Sequence, residues 1–434
     1  MKVKDFLEMA FRKFIGSADV ALPIMPLPAL RFIEHVNECD FECGTNPNTY
    51  YAFDTFMLCP RAYMIKYLVK QPLSIPFYAQ VQEVVRETIN EYAKGLLQQG
   101  DVRSYFEKRF AEIVVGPFPI HHPEQDWFGK YRETIGRHIT VLVEKWQSEG
   151  WQIEDAYCPV ALKFGEREIV GCIDLVLRNA SGDLALVAYD INDVYVRNDG
   201  VIKQEEDKDV IRRLKRKLYL YASAYEETFP NKKGKIKKLM MAFCHPPAHN
   251  DVFSLPVDWE ETEREAVIRW VDIVCRQIED ATQGKKWPAV IVTRLNKEGI
   301  LAEDKDFCWR RCPHCLSCRW AGWHPEKIAE FVHEADIVRI PQRYASVRLT
   351  LKSSLDRQRN IDEIKDSVSL ESGEVKSVTF VRTSLQRLNV QTIGDLEGKT
   401  VYDFAAIPGC GLKKIETIVA LFYDVESDNL NDER

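Results

Sequence analysis

Four cysteines crowd into one short run, Cys308-Trp309-Arg310-Arg311-Cys312-Pro313-His314-Cys315-Leu316-Ser317-Cys318. A tight turn with this spacing can bring thiolates onto one metal centre, and thiolates suit zinc and iron–sulfur clusters alike. Two aspartates offer a different chemistry. Gly171-Cys172-Ile173-Asp174-Leu175-Val176 reads as a strand, Asn179-Ala180-Ser181-Gly182-Asp183 as a turn, and Leu184 to Asn192 as a returning strand that carries Asp190. An ionised aspartate in an apolar strand is costly unless it meets a cation or hydrogen-bond donors. Two of them on neighbouring strands predict a Mg²⁺ or Mn²⁺ site, where the ion would activate water and stabilise charge on a phosphodiester.

Phosphate chemistry is also legible near the C-terminus. In Ile407-Pro408-Gly409-Cys410-Gly411-Leu412-Lys413-Lys414-Ile415, Gly409 and Gly411 allow close approach. The N–H groups of the helix that follows can bind a phosphate, and Lys413 and Lys414 add charge. Such contacts give salt-sensitive, non-specific DNA binding rather than base reading. A basic run, Arg212, Arg213, Lys215, Arg216 and Lys217, either tracks a phosphate backbone or forms a solvated helix face. A second run, Lys232 to Lys238, either touches nucleic acid or guards a strand edge.

The elements that must position these residues follow from periodicity. Helical spacing dominates 54–148, and candidate strands follow at Gln152–Phe164, Arg167–Arg178, Leu184–Asn192 and Ile236–Cys244. Asp207–Glu227 and Glu260–Ala281 read as helices. Helices first, then three strands, a crossover helix and a fourth strand predict an α/β core. The expected organisation is an N-terminal helical segment (1–45), a main domain (46–335), a linker or weak strands (336–378), a small all-α domain (379–424) and an acidic tail (425–434). The 434 residues carry net charge −7, so nucleic-acid binding must come from local patches. No apolar run reaches the ~18–20 residues of a membrane span. The amphipathic first 15 residues do not read as an export signal, so the 12 cysteines are expected in a reducing cytoplasm.

These pieces, in this order, resemble the iron–sulfur branch of the PD-(D/E)XK nucleases, the RecB/AddB/Cas4-like proteins. The resemblance rests on Cys59-Pro60-Arg61-Ala62-Tyr63, the Asp174 and Asp190 hairpin and the Cys315-Leu316-Ser317-Cys318-Arg319-Trp320 piece. It implies a restriction-endonuclease-like core with helical insertions, acting on DNA alone or within a larger protein complex. It also implies a [4Fe–4S] cluster held by Cys59, Cys312, Cys315 and Cys318, with Cys308 in reserve. Zinc is the alternative, and His324 stands near where the family places a further cysteine. Asp174, Asp190, the carbonyl of Ile191 and Glu83 would be the metal's oxygen ligands. The family's lysine position holds Asn192, and its first-helix histidine is absent, with Gln82 or Glu83 in that region. The resemblance points to Lys217 as the replacement charge, with Tyr221 one helical turn away. The unit from about 380 to 424 resembles the helix-hairpin-helix motif and the C-terminal domain of the RNA polymerase α subunit. The two departures leave a second reading open, a DNA-binding subunit that does not cut.

Overall fold

The computed structural model describes residues 46–68, 77–114, 127–191, 194, 202, 205–243, 254–284, 286–295, 301–304, 337–341, 344, 347–364, 367–369, 375–377, 379–407 and 409–425. The helices α1 (Tyr50–Leu58), α2 (Pro60–Tyr63), α3 (Phe77–Ala93), α4 (Val102–Ile113) and α5 (Trp127–Ser148) come first. Strands β1 (Gln152–Phe164), β2 (Arg167–Arg178) and β3 (Leu184–Asp190) follow, then α6 (Glu205–Thr228), β4 (Ile236–Phe243) and β5 (Ser254–Val257). Next come α7 (Glu261–Gly284), β6 (Ala289–Leu295), β7 (Leu301–Asp304), β8 (Ile337–Pro341) and β9 (Leu349–Leu351). The C-terminal part holds β10 (Ser367–Ser369), β11 (Val375–Ser377), α8 (Thr379–Gln386), α9 (Val401–Ala405), α10 (Leu412–Phe422) and β12 (Tyr423–Val425). No described helix is long and apolar enough to cross a membrane.

The fold is mixed α/β, and the chain divides into two compact units. The described residues of Lys70–Asp193 and Ala224–Pro256 form the first, and those of Pro47–Val69, Val194–Ser223 and Val257–Arg434 the second. In the first unit a five-stranded sheet runs in the order β1-β2-β3-β4-β5. Strands β1, β2 and β3 are antiparallel neighbours, whereas β3 and β4 are parallel and are joined through α6, as a parallel pair requires a crossover. Residues Gly171 to Leu177 of β2 are all buried, so this strand has lost the polar–apolar alternation of a half-solvated one. The helices supply a core at i, i+3 and i+4 spacing. Val81, Val84, Val85 and Ile89 of α3, Val102, Phe106 and Phe110 of α4, and Ile139, Leu142 and Trp146 of α5 meet Leu175, Leu177, Val187 and Tyr189.

The outer edge of β1 is closed by side chains from the end of α6. The N–H of Ala161 donates to Thr228 Oγ1 at 3.0 Å, and the Thr228 hydroxyl donates back to the Ala161 carbonyl at 3.2 Å. The N–H of Lys163 donates to the Glu227 carboxylate at 2.9 Å.

In the second unit, Thr49 caps α1 by accepting the N–H of Ala52 at 3.2 Å, and Pro60 opens α2 where its missing N–H costs nothing. Strand β6 pairs antiparallel with β7 and parallel with β8, and β12 returns to pair with β9. The expected linker at 336–378 therefore contains strands of two sheets and the β10–β11 hairpin. These strands are only three to five residues long, too short to show a period. The C-terminal helices are not a separate module either. Val381, Leu385, Phe404, Ile415, Ile418 and Phe422 share one core with Val290, Ile340, Cys59 and Ala62.

Burial in the first unit has a pH consequence. Burial pushes the Cys158 thiol from 9.0 up to about 12, with Asp155 adding to the shift. Burial also raises the Tyr225 phenol from 10.0 to about 12, helped by Cys158 and Glu154. The folded chain keeps protons that the unfolded chain releases, so this stability is complete below about pH 9 and lost as pH rises towards 12. Urea midpoints measured from pH 8 to 11 will fall steadily above pH 9, and Cys158→Ala will flatten the first part of that fall.

Candidate functional site

Asp174 sits where two strands part. The β2–β3 ladder runs from Arg178↔Leu184 to Leu175↔Val187, and Asp174 is the next residue of β2 beyond it. Its Oδ2 accepts the N–H of Tyr189 at 3.0 Å, so the carboxylate takes over a donor of β3 just past the last ladder pair. Its Oδ1 lies 2.9 Å from Nε of Arg86, which projects from α3. Both groups are almost sealed from water, at 2 % and 1 % side-chain exposure. One helical turn before Arg86, Gln82 donates its amide to the Tyr189 carbonyl at 2.8 Å. Gln82 and Arg86 thus hold α3 to β3 and β2 respectively. Glu83, on the same helix, is buried as well.

Tyr157 completes this cluster from β1. The pairs Ala156↔Leu175 and Cys158↔Ile173 put Tyr157 opposite Asp174, and β1 carries a register shift between Ile153 and Asp155 just before it. Its φ of +53° is left-handed, a conformation that a bulky residue adopts only when its surroundings impose it. The phenol is held well above its ordinary value, first by burial, then by the negative charges of Glu83 and Asp174, against the opposing pull of Arg86. A neutral phenol thus faces a guanidinium and two carboxylates.

This arrangement does not suit a divalent metal at Asp174. Among the described residues, no three His, Cys, Asp or Glu side chains are grouped to hold an ion. Asp190 ends β3 half-buried, and Ile191 behind it is buried. Asn192 lies outside the described residues.

Lys217, expected as a replacement charge, meets two tyrosines. It is 1 % exposed within the second unit, where Nζ donates to the Tyr51 hydroxyl at 3.1 Å. The rings of Tyr51 and Tyr221 lie 5.1 and 5.4 Å from the same nitrogen. The ammonium therefore meets the hydroxyl end of Tyr51 and lies near the Tyr221 ring. The basic run around it is largely buried or paired. Arg212 and Arg216 are buried, Arg216 lies over the Trp270 ring at 5.3 Å, and Arg213 pairs with Asp54 at 3.1 Å and Asp209 at 3.3 Å. The charges of α6 are consumed by α1, α7 and α6 itself.

At the C-terminal turn, Gly409 is exposed with φ +78°, and Gly411 is the N-cap of α10. Lys413 is exposed, whereas Lys414 folds back to donate to the Gly409 carbonyl at 2.8 Å and lies 5.5 Å from the Phe380 ring. One lysine therefore braces the turn and the other faces outward. Cys59 is buried at the N-cap of α2, while Cys308, Cys312, Cys315, Cys318 and His324 lie outside the described residues.

Sequence reasoning missed Arg86 and Tyr157. The signal for Arg86 was weak: Gln82 and Arg86, four apart, share a helix face beside Val81, Val84, Val85 and Ile89, but Glu83, Glu87 and Thr88 make the segment polar enough to hide it.

No family model matches the chain, and no curated protein matches it. Among solved structures, one described as a proposed exonuclease from Eubacterium rectale is 13% identical, with a TM-score of 0.34 over 60% of this chain and 87% of that one. Another, the protein SSO0001, is 12% identical, with a TM-score of 0.30 over 67% of this chain and 93% of that one. Both likenesses are distant, and the mixed α/β assignment rests on the sheet and helices themselves.

The left-handed backbone at Tyr157 yields a direct test. In an ordinary strand, glycine is less stable than alanine. At φ +53° the order inverts, because alanine carries the left-handed penalty and glycine does not. Tyr157→Gly will be more stable than Tyr157→Ala by about 1 kcal/mol in urea unfolding.

Proposed function

We propose that this chain is a DNA-binding protein built on a PD-(D/E)XK nuclease-like core, holding nucleic acid without cutting it as a subunit of a repair, recombination or defence complex. The observation that carries the reading is the position of Asp174. It stands beside the parting of β2 and β3 and under α3, where the resembled nucleases keep metal-bound carboxylates, yet it is paired with Arg86. The exposed Gly409 turn and Lys413 support DNA contact, since a phosphate can approach the unhindered N–H groups there. Nothing in this reading needs Lys217, Arg212 or Arg216 to reach a ligand.

The second reading is Mg²⁺- or Mn²⁺-dependent cleavage of DNA, single-stranded or from an end. Asp190 favours it, as a half-buried carboxylate at the end of β3, within one residue of the Tyr189 that contacts Asp174. We also propose that Cys59 joins Cys312, Cys315 and Cys318, or Cys308 in place of one, on a [4Fe–4S] cluster, with zinc as the alternative. The support is the Cys59-Pro60-Arg61-Ala62-Tyr63 match and the place of Cys59 at a helix start.

Gel-shift and nuclease assays on single- and double-stranded DNA separate the two readings. The first expects salt-sensitive binding without cutting, and Lys413→Ala lowering the salt slope by about 1. Metal-dependent cutting abolished by Asp190→Ala would establish the second. For the cluster, anaerobically purified protein will be brown with absorbance near ~400 nm, and Cys59→Ser will lose the colour. Colourless protein with bound zinc would replace iron–sulfur by zinc.

A further inference from the structure

We propose that Arg86 is a built-in cation that takes the place of a divalent metal at Asp174, so that this carboxylate, beside the parting of β2 and β3, is neutralised by the chain itself. Three observations lead there. The Arg86 guanidinium meets Asp174 Oδ1 at 2.9 Å with both groups buried, and the second oxygen is engaged by the N–H of Tyr189. Helix α3 carries this cation in register with Gln82, whose amide secures the neighbouring Tyr189 carbonyl. Tyr157 is held in a left-handed conformation directly across β1–β2 from Asp174. A hydrated metal site needs open coordination positions and water. Here the positions around the carboxylate are filled by a guanidinium, a backbone donor and the side chains of α3 and β1.

The physical role is the one a structural metal would play. Where two strands part, a carboxylate replaces ladder partners, and something positive must stabilise it in a site without solvent. A guanidinium does this as a permanent charge, with no exchange with the medium. Arg86 is a positioning residue in this sense. It fixes Asp174, and through Gln82 the same helix fixes the end of β3 that leads to Asp190.

This inference concerns the proposed DNA-binding core but is read out without DNA, so the two can fail separately. First, Mn²⁺ binding is followed by loss of the free-ion electron paramagnetic resonance signal, comparing native protein with Asp174→Asn. Identical titrations are expected. A native Mn²⁺ site lost in Asp174→Asn would overturn the proposal. Second, melting midpoints are measured without divalent ions for Asp174→Asn, Arg86→Met and the double variant. Each single change should lower the midpoint, and the double should lose less than their sum. Carboxylates gathered for an absent metal repel one another, so a higher midpoint for Asp174→Asn would also overturn the proposal, as would additive losses. Should a variant fail to fold, the native protein still decides. Its melting midpoint should be the same with and without millimolar Mg²⁺, and a rise would show a native-state metal site.

Discussion

A buried charge pair at the parting of two strands constrains the whole first unit. Asp174 cannot sit in an apolar strand unless it is neutralised, and the structure neutralises it with Arg86 rather than with solvent. Buried pairs of this kind add little net stability against a well-packed apolar alternative, because both ions lose their hydration. What they add is uniqueness. Any sliding of α3 along the sheet would strand two charges in a dry interior. The rotation of α3 that brings Arg86 to Asp174 also brings Gln82 to Tyr189 and sends Val81, Val84, Val85 and Ile89 into the core. The electrostatic and apolar faces of one helix therefore demand the same orientation.

Much of this fold was legible in the sequence. The first four strands fall where runs of branched and aromatic residues are bounded by Gly165-Glu166 and Asn179-Ala180-Ser181-Gly182-Asp183, and α6 and α7 follow their helical period. The Asp174 and Asp190 strands were legible too, because a carboxylate inside an apolar run is conspicuous. Its partner was not. Arg86 lies 88 positions earlier on a helix, and nothing local shows which buried cation a carboxylate will find. The charges of α6 misled for a similar reason. A cluster of arginines reads as a wet face until Trp270, Tyr51 and Asp54 arrive from distant segments to cover it. The backbone of Tyr157, left-handed just after the register shift in β1, left no trace at all, since tyrosine is an ordinary strand residue.

The second unit shows how misleading sequence distance is as a guide to modularity. Cys59 and Ala62, early in the chain, share a core with Val381, Leu385, Phe404 and Ile418 near its end. The Tyr402 phenol of α9 is pushed upward by burial and by the charges of Cys59, Asp209 and Asp54, so it too belongs to this shared interior. The helices after residue 379 are part of the same folding unit as α1 and α2. A change at Cys59 will be felt by the C-terminal helices through direct packing rather than through a flexible tether.

The seal on β1 limits how this protein can meet its neighbours. An uncovered strand edge is a template for recruiting another backbone. With Thr228 and Glu227 occupying the outward backbone groups of Ala161 and Lys163, that template is already used at the C-terminal end of the strand. The sheet's other margin is β5, a strand of four residues that offers a short ladder at most. Pairing of another backbone with this sheet is thus discouraged at the end of β1 and limited in length at β5.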